Sequence, residues 1–290
     1  MKKVSPKLIL LLGVLGVSVS ALLVRAAAAP SLVTATYRLG WTVIILLPMV
    51  LLRCREELRQ VRGKDLLLCG ASGVMLALHF GTWFESLKWT SIASSTVLVS
   101  TEVIFVALGF ALFLKGRIPR LGIVAILLAF AGSIVLALAD GGGEGALYGD
   151  LLALAAAVFV AAYTLIGRVQ RGHLSTTMYT FLTYTACLIT LLILDGATGT
   201  PVFGYGWKEL LIGLGLAVAC TLLGHSLFSY TLKYLSPSYV SAAKLCEPVF
   251  ASLLGIPLFG EIPGGAQIFG SVVVLLGVLL YTRAEHSNTL

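Results

Sequence analysis

Residues 121–138 read LGIVAILLAFAGSIVLAL, an uncharged run in which Ser133 is the one polar side chain. At about 1.5 Å per residue, a helix of this length nearly crosses the ~30 Å hydrocarbon core of a bilayer. An apolar stretch so long and so free of charge reads as a transmembrane helix, not as the core of a soluble domain.

The pattern continues in both directions. Of the 290 residues, 58% are hydrophobic and 11% charged, whereas soluble domains carry about 25% charged residues. Apolar segments recur at Leu8–Val24, Ser31–Leu52, Leu66–Leu87, Ile92–Leu114, Leu121–Leu138, Gly149–Val169, Thr176–Leu194, Leu210–Leu232, Pro237–Phe259 and Gln267–Tyr281. Breakers separate them: Pro30, the Arg53–Lys64 charge run, Pro119, the acidic Asp140–Glu144 stretch, the Gly196–Trp207 loop and Pro263. Ten crossings of ~20 residues leave only short loops, so the expected fold is all-α and integral to the membrane, with ten transmembrane helices. The first segment follows Lys2 and Lys3 and precedes the small run Ala26–Ala29, which resembles a signal peptide. Because the later segments also span, it is read as a retained helix.

The net charge of +7 would suggest nucleic acid in a soluble protein; here it follows the rule that Lys and Arg mark cytoplasmic loops. With the N-terminus inside, the inner segments hold Lys2, Lys3, Lys7, the five cations of the Arg53–Lys64 run, Lys115, Arg117, Arg120, Arg168, Arg171, Lys233 and Arg283. The outer segments hold Arg25, Lys88 and Lys208, and Arg38 and Lys244 lie within helices. A bias of about five to one places both termini in the cytoplasm of a multi-pass plasma-membrane protein. Cys54, Cys69, Cys187, Cys220 and Cys246 show no CxxC spacing, and read as small hydrophobes, with neither a disulfide framework nor a metal site.

Shifting the chain by 145 residues aligns it with itself. Leu87-Lys88-Trp89 meets Leu232-Lys233-Tyr234, Ser91 meets Ser236, Glu102 meets Glu247, Phe105 meets Phe250, Leu108 meets Leu253 and Gly132 meets Gly277. After a one-residue slip, Ile118-Pro119 meets Ile262-Pro263. Each half, 1–139 and 147–284, holds five helices. An odd number makes the second half enter from the opposite side, so the expectation is two inverted five-helix repeats with a site between them near mid-membrane.

The stretch Trp83…Ser86-Leu87…Thr90-Ser91…Ala93-Ser94-Ser95, with Glu247-Pro248-Val249-Phe250, Gly260-Glu261, Gly270 and Gly277, resembles the drug/metabolite transporter superfamily in its EamA-type ten-helix branch. The first half departs from that pattern, with Val103 in place of Pro and Gly116-Arg117 in place of Glu. The resemblance implies a central cavity lined by helices 1–4 and 6–9, with helices 5 and 10 peripheral. It implies substrates ranging over amino acids, drugs, sugars, nucleotide conjugates and choline-like cations. The residues agree independently: helices 5 and 10 are nearly free of polar groups, whereas polar stripes run along helix 3 (Ser72, His79, Trp83, Ser86), helix 7 (Thr176, Thr180, Thr183, Cys187, Thr190) and helix 8 (Thr221, His225, Ser229). Such stripes line a cavity or bond helix to helix, at ~0.6 kcal/mol each.

Glu102 and Glu247 each stand at the middle of their segments. A charge there costs at least ~2.5 kcal/mol on insertion scales and needs a partner, a proton or water. Glu102 has Leu98, Val99, Phe105 and Val106 as its helical neighbours, while Glu247 has Lys244 three residues away, the spacing of an intrahelical pair. Lys244 has no repeat mate, Val99 standing there, and with the two carboxylates it could receive both ends of a zwitterion. Arg38 either snorkels outward or faces the cavity to hold a carboxylate or phosphate. Glu85 with Lys88 reads as a surface pair. His79 and His225 are relay or hydrogen-bonding candidates. Tyr37, Trp41, Trp83, Tyr163, Tyr179, Tyr184 and Tyr230 are candidates for an aromatic cage around a cation, and Arg25, Trp207 and Tyr281 for the membrane interface.

These features favour a secondary transporter exporting or exchanging small metabolites, amino-acid-like or amphiphilic, without a cofactor. The competing reading is proton-linked uptake of an organic cation. A passive channel would more naturally be a ring of subunits, and the paired Asp or HExxH motifs of an intramembrane enzyme are missing from the sequence. The charge bias predicts that single cysteines at Arg59 and Gly204, in a cysteine-free background, label from opposite sides of intact cells. Cysteine 204 should react with an impermeant reagent outside and cysteine 59 only after lysis; equal labelling of both from outside contradicts this topology.

Overall fold

The computed structural model describes residues 5–115, 119–139, 145–245, 247, 256–258, 260 and 262–286, and the elements assigned among them are all helical. In chain order they are α1 (Pro6–Val17), α2 (Ser20–Arg25), α3 (Ser31–Arg53), α4 (Arg55–Gln60), α5 (Gly63–Trp89), α6 (Ile92–Ser100), α7 (Glu102–Phe113), α8 (Arg120–Ala139), α9 (Ala146–Gln170), α10 (Thr176–Ala197), α11 (Trp207–Gly215), a π-helical segment (Leu216–His225), α12 (Ser226–Thr231), α13 (Pro237–Ala243) and α14 (Gly265–His286). Seven helical stretches are long and apolar enough to cross a membrane: Pro6–Arg25, α3, α5, Ile92–Phe113, α9, α10 and Trp207–Thr231. Shorter apolar helices run over Arg120–Gly132 and Gly265–Tyr281. Cys246, Pro248–Phe250, Leu253, Glu261, Gly116-Arg117, Ile118 and the Asp140–Glu144 stretch lie outside the described residues.

Four of the expected continuous helices are interrupted among the described residues. The first breaks after Val17, where the Ser18 hydroxyl donates back to Val14 O at 2.8 Å. The eighth passes through ten residues of π-helix, with Thr221 and Ser226 hydroxyls donating five residues back. The fourth breaks at Thr101. Its hydroxyl-rich sequence explains why: Thr96 Oγ1 donates to Ile92 O, Ser100 Oγ to Thr96 O and Thr101 Oγ1 to Leu98 O, at 2.6–2.7 Å. Hydroxyls that back-bond compete for the carbonyls of the ladder and bend a helix. The backbone tightens to three-residue bonds across the break, Thr101 N to Leu98 O and Ile104 N to Thr101 O, and Glu102 opens α7. The ninth segment behaves alike: α13 ends at Ala243, and Lys244, Leu245 and Glu247 all bond three residues back. Both α6 and α13 start on a serine cap, Ser91 accepting from Ser94 N and Ser236 from Tyr239 N.

Helix contacts recur in mirrored sets. α5 packs on α9, and α1 packs on the π-segment and α12; α3 meets α10, α13 meets α7, and α8 meets α14. At the α8–α14 contact the match reaches single residues. A Cβ on Gly132 would stand 2.7 Å from Val274 N and 3.0 Å from Gly270 O. A Cβ on Gly277 would stand 2.7 Å from Ala129 N and 2.9 Å from Ala125 O. Each partner is the other's partner displaced by 145 positions, so the two contacts are reciprocal. Without a hydrophobic drive between helices in lipid, small residues that let backbones approach supply the packing.

The polar stripes turn inward: Ser72, His79, Trp83, Ser86, Thr180, Thr183, Cys187, Thr221, His225 and Ser229 are buried, while Thr176 and Thr190 are partly buried. Leucines and isoleucines of α8 and α14 face outward, with Leu127 63% and Leu279 55% exposed. Tyr281, expected at the membrane interface, is instead buried with Val274, Ala129 and Leu245, and Trp207 is 75% exposed. Overpacking a tight contact costs about 1–3 kcal/mol. Gly132→Val and Gly277→Val should therefore each lower the melting temperature in detergent, by similar amounts. Gly70→Val, where nothing lies within 4 Å, should be near neutral. Equal melting of all three variants contradicts the reciprocal contact.

Candidate functional site

The breaks in the helices converge on one cavity. Val17 and Ser20 border the break between α1 and α2, Val99, Ser100 and Glu102 that between α6 and α7, His225 ends the π-segment, and Lys244 and Glu247 follow α13; all of these line the cavity. His79 and Trp83 of α5, Val160 of α9 and Phe228 of α12 complete the wall. None of the lining residues comes from α3, α8, α10 or α14. The expected involvement of the second and seventh helices is therefore not seen among the described residues. Helix breaks free backbone groups, and within a membrane such irregular backbone is tolerated where it lines a cavity.

The charge pairing differs from the one the helical spacing suggested. Lys244 Nζ donates to Glu102 Oε1 at 2.8 Å, across the two halves of the sequence. Both side chains are buried, Lys244 8% and Glu102 4% exposed. No ion pair joins Lys244 to Glu247 among the described residues, although both are described. Lys244 is the C-cap of α13, and its side chain reaches across to the other half instead of along its own turn. Lys244 Nζ also stands 5.0 Å from the centre of the Phe228 ring, a cation–π contact that helps desolvate the ammonium. Phe228 was not singled out in the sequence; the i+3 spacing from His225 on the polar stripe was the available signal. Glu247 is half-buried and faces the same cavity.

Aromatic groups form the opposite wall. His79 stacks on Trp83 with centroids 5.8 Å apart and planes at 18°, and lies 6.4 Å from His225. His79 Nδ1 is 3.0 Å from Ala156 O, a bond in which the ring nitrogen is the donor. Trp83 Nε1 and His225 Nδ1 are buried and have no hydrogen-bond partner among the described residues. The seven-membered aromatic cage does not form. Tyr37 donates to Val202 O and Trp41 to Leu210 O, while Tyr230 packs on Tyr234. Tyr163, Tyr179 and Tyr184 are buried and paired with Ser229, Ser72 and Ser226 hydroxyls, and are not among the lining residues. Their distances from one another along the chain gave no measure of which helix faces meet.

Arg38 takes neither expected position. It is fully buried, with Nε donating to Thr221 Oγ1 at 2.7 Å, Nη1 to Ser20 Oγ at 3.3 Å, and its guanidinium 4.1 Å from the Phe80 ring centre. It thus bridges the π-segment and the start of α2, behind the cavity wall. Nη2 has no partner. Glu85 pairs with Lys88 at 3.5 Å, as the sequence suggested, and also accepts from Ser31 and Trp89. Arg25 donates to Leu87 O. Charged groups that the sequence reading passed over tie the ends of the bundle: Asp65 to His173 at 2.7 Å, Glu57 to Ser175 N at 2.6 Å, and Glu209 to the amides of Ala28 and Ala29 at 3.2 Å.

Known proteins show the same plan. The profile of the EamA-like transporter family matches the chain twice, over residues 5–138 and 147–283. An uncharacterized transporter of Clostridium kluyveri is 27% identical over 85% of this chain and 82% of its own length. The uncharacterized transporter YwfM of Bacillus subtilis is 30% identical over 75% and 73%. The pseudopaline exporter CntI of Pseudomonas aeruginosa is 24% identical over 73% and 74%. A solved crystal structure at 20% identity superposes with a TM-score of 0.70, covering 97% of this chain and 98% of that one, a likeness of fold. It is on these grounds, and not an enzyme's, that the chain is placed: it belongs to the EamA-like transporter family.

Proposed function

We propose that the protein is a secondary transporter that exports or exchanges small metabolites by alternating access. In this reading it has ten transmembrane helices in two inverted halves, 1–139 and 147–284, with both termini in the cytoplasm and the bundle in the plasma membrane. The reciprocal Gly132 and Gly277 contacts, the mirrored helix pairs and the double family match support the inverted plan. The named exporter among the relatives supports the outward direction.

One observation carries the proposal: a buried ion pair joins the two halves inside the cavity, Lys244 of the second to Glu102 of the first. Two halves that rock against each other about a central site need a contact that differs between their states. A buried ion pair serves this, because its partners are costly apart unless another charge, a proton or water replaces them. A substrate group or a proton entering the cavity would be that replacement. Glu247, facing the cavity without an ion-pair partner among the described residues, favours a cationic group or a proton as the second ligand. This keeps proton-linked uptake of an organic cation as the competing direction.

The transport test is counterflow in proteoliposomes, with a labelled metabolite outside and the unlabelled one inside. Saturable uptake accelerated by the internal pool is expected; linear, unaccelerated flux would indicate a channel. The pairing itself has a stability test. Lys244→Met leaves Glu102 uncompensated and should cost about 3–5 kcal/mol, and adding Glu102→Gln should restore most of the loss. Adding Glu247→Gln instead should restore little. The opposite ranking of the two double variants would return Lys244 to an intrahelical pair with Glu247.

A further inference from the structure

One exchange between the repeats changes their charge. In the first half Glu85 pairs with Lys88 at 3.5 Å and accepts from Trp89, so that triad at the end of α5 is neutral. The positions 145 residues on are Tyr230, Lys233 and Tyr234. A phenol replaces the carboxylate, and Lys233, exposed beyond the end of α12, has no ion pair among the described residues. Tyr230 and Tyr234 pack with ring centres 5.2 Å apart and line a groove on the outside of the bundle. Its apolar wall is Ile9, Leu12 and Leu227, with Leu12 50% exposed. Three helix ends meet there, because Pro6 opens α1, Thr176 opens α10 and Tyr234 follows α12. Cations cluster at the same end. Lys7 is exposed next to Pro6 and stands 5.7 Å from the Tyr239 ring centre. Arg171, buried against α12, donates to Ser229 O at 3.0 Å and lies within electrostatic reach of Tyr234 and Tyr230. Glu57 is within its reach too, and accepts from Ser175 N at 2.6 Å. The groove therefore joins an apolar channel to a cationic, hydroxyl-bearing head, which is the complement of a phospholipid. From Pro6 to Leu12 a helix rises about 9 Å, over half the ~15 Å of hydrocarbon in one leaflet.

We propose that this groove is a binding site for one anionic phospholipid. The Lys233 ammonium and the Tyr234 hydroxyl donate to its phosphate, Lys7 stands beside the headgroup, and an acyl chain lies along Ile9, Leu12 and Leu227. Basic pockets between helices at the cytoplasmic surface recognise anionic headgroups in this way, and each Lys or Arg near the surface adds to the attraction. Lipid that merely surrounds the bundle has no reason to be sorted by charge; lipid in this groove does. The leaflet is the cytoplasmic one in the topology proposed above, and that assignment alone rests on the earlier reading.

The test is native mass spectrometry of the purified full-length protein in detergent, titrated with phosphatidylglycerol and with phosphatidylcholine of identical chains. One phosphatidylglycerol should be retained at least about tenfold more tightly than phosphatidylcholine, the weight of two basic residues at a membrane surface. Lys233→Gln should cut that preference about fivefold, the share of one such residue. Tyr230→Glu, which restores the carboxylate of the first half, should bring the two lipids within about twofold of each other. Lys208→Gln, an exposed cation away from the groove, should leave the preference as it is. Equal retention of the two lipids by the unaltered protein overturns the proposal. So does an unchanged preference in a Lys233→Gln protein that keeps its melting temperature. Glycerol 3-phosphate displacing phosphatidylglycerol at equal concentration also overturns it, since the site would then be one for a soluble anion. If Tyr230→Glu does not fold, the exposed substitutions at Lys233 and Lys208 decide. A failure of exchange in counterflow would sink the transport reading and leave this lipid selectivity standing.

Discussion

In hydrocarbon, a polar group finds no water, so each must be satisfied inside the protein or be left to a ligand. Continuous helices meet this demand for the backbone along α3, α5, α9 and α10. Where the ladder is interrupted, at Val17, Thr101, Leu216–His225 and Ala243, the freed groups must be covered by packing or by side chains. The interruptions gather around one cavity, and the residues flanking them are its lining. The bilayer thus makes an irregular backbone and a polar cavity two aspects of one arrangement. The peripheral pair α8 and α14 has no such interruption and presents its leucines outward.

The same demand orders the charges. Lys244 and Glu102 satisfy each other across the halves, and Arg38 distributes its donors over Thr221, Ser20 and the Phe80 ring in place of a carboxylate. Arg38 also explains how the π-segment is held: its contact with Thr221 lies within the turns that end at His225. Single-turn and longer π-helical insertions commonly mark functional sites, because the extra residue redirects a side chain. Trp83 Nε1 and His225 Nδ1 are buried cavity atoms that find no such partner among the described residues, and Glu247 has no ion pair among them.

Much of this was legible in the sequence. The length and charge of the apolar runs located the seven stretches long and apolar enough to cross a membrane, and the match at 145 residues links Gly132 to Gly277, which stand at one helix contact. The buried stripes on helices 3, 7 and 8 followed from helical spacing alone. The choice of partner for Lys244 did not, because i,i+3 spacing presumes an unbroken helix and says nothing of what crosses from another. The hydroxyls of Thr96, Ser100 and Thr101 were visible, but each could have bonded outward. Trp41, Tyr37 and Tyr230 looked equivalent to Trp83 because composition carries no information on depth. Arg38 was placed at a surface or in a cavity, and its aromatic stack with Phe80 depends on how α3 and α5 meet.

Under the proposed alternating access, the cavity that holds Glu102 and Lys244 opens to each side of the membrane in turn. Ser100 lines that cavity and is 7% exposed, so its reactivity reports entry. A Ser100→Cys protein in a cysteine-free background should be placed in right-side-out and inside-out vesicles and treated with an impermeant thiol reagent. The account predicts that cysteine 100 reacts in both preparations and that a saturating transported metabolite slows the reaction in both. Reaction from one side only, or from neither, would contradict it.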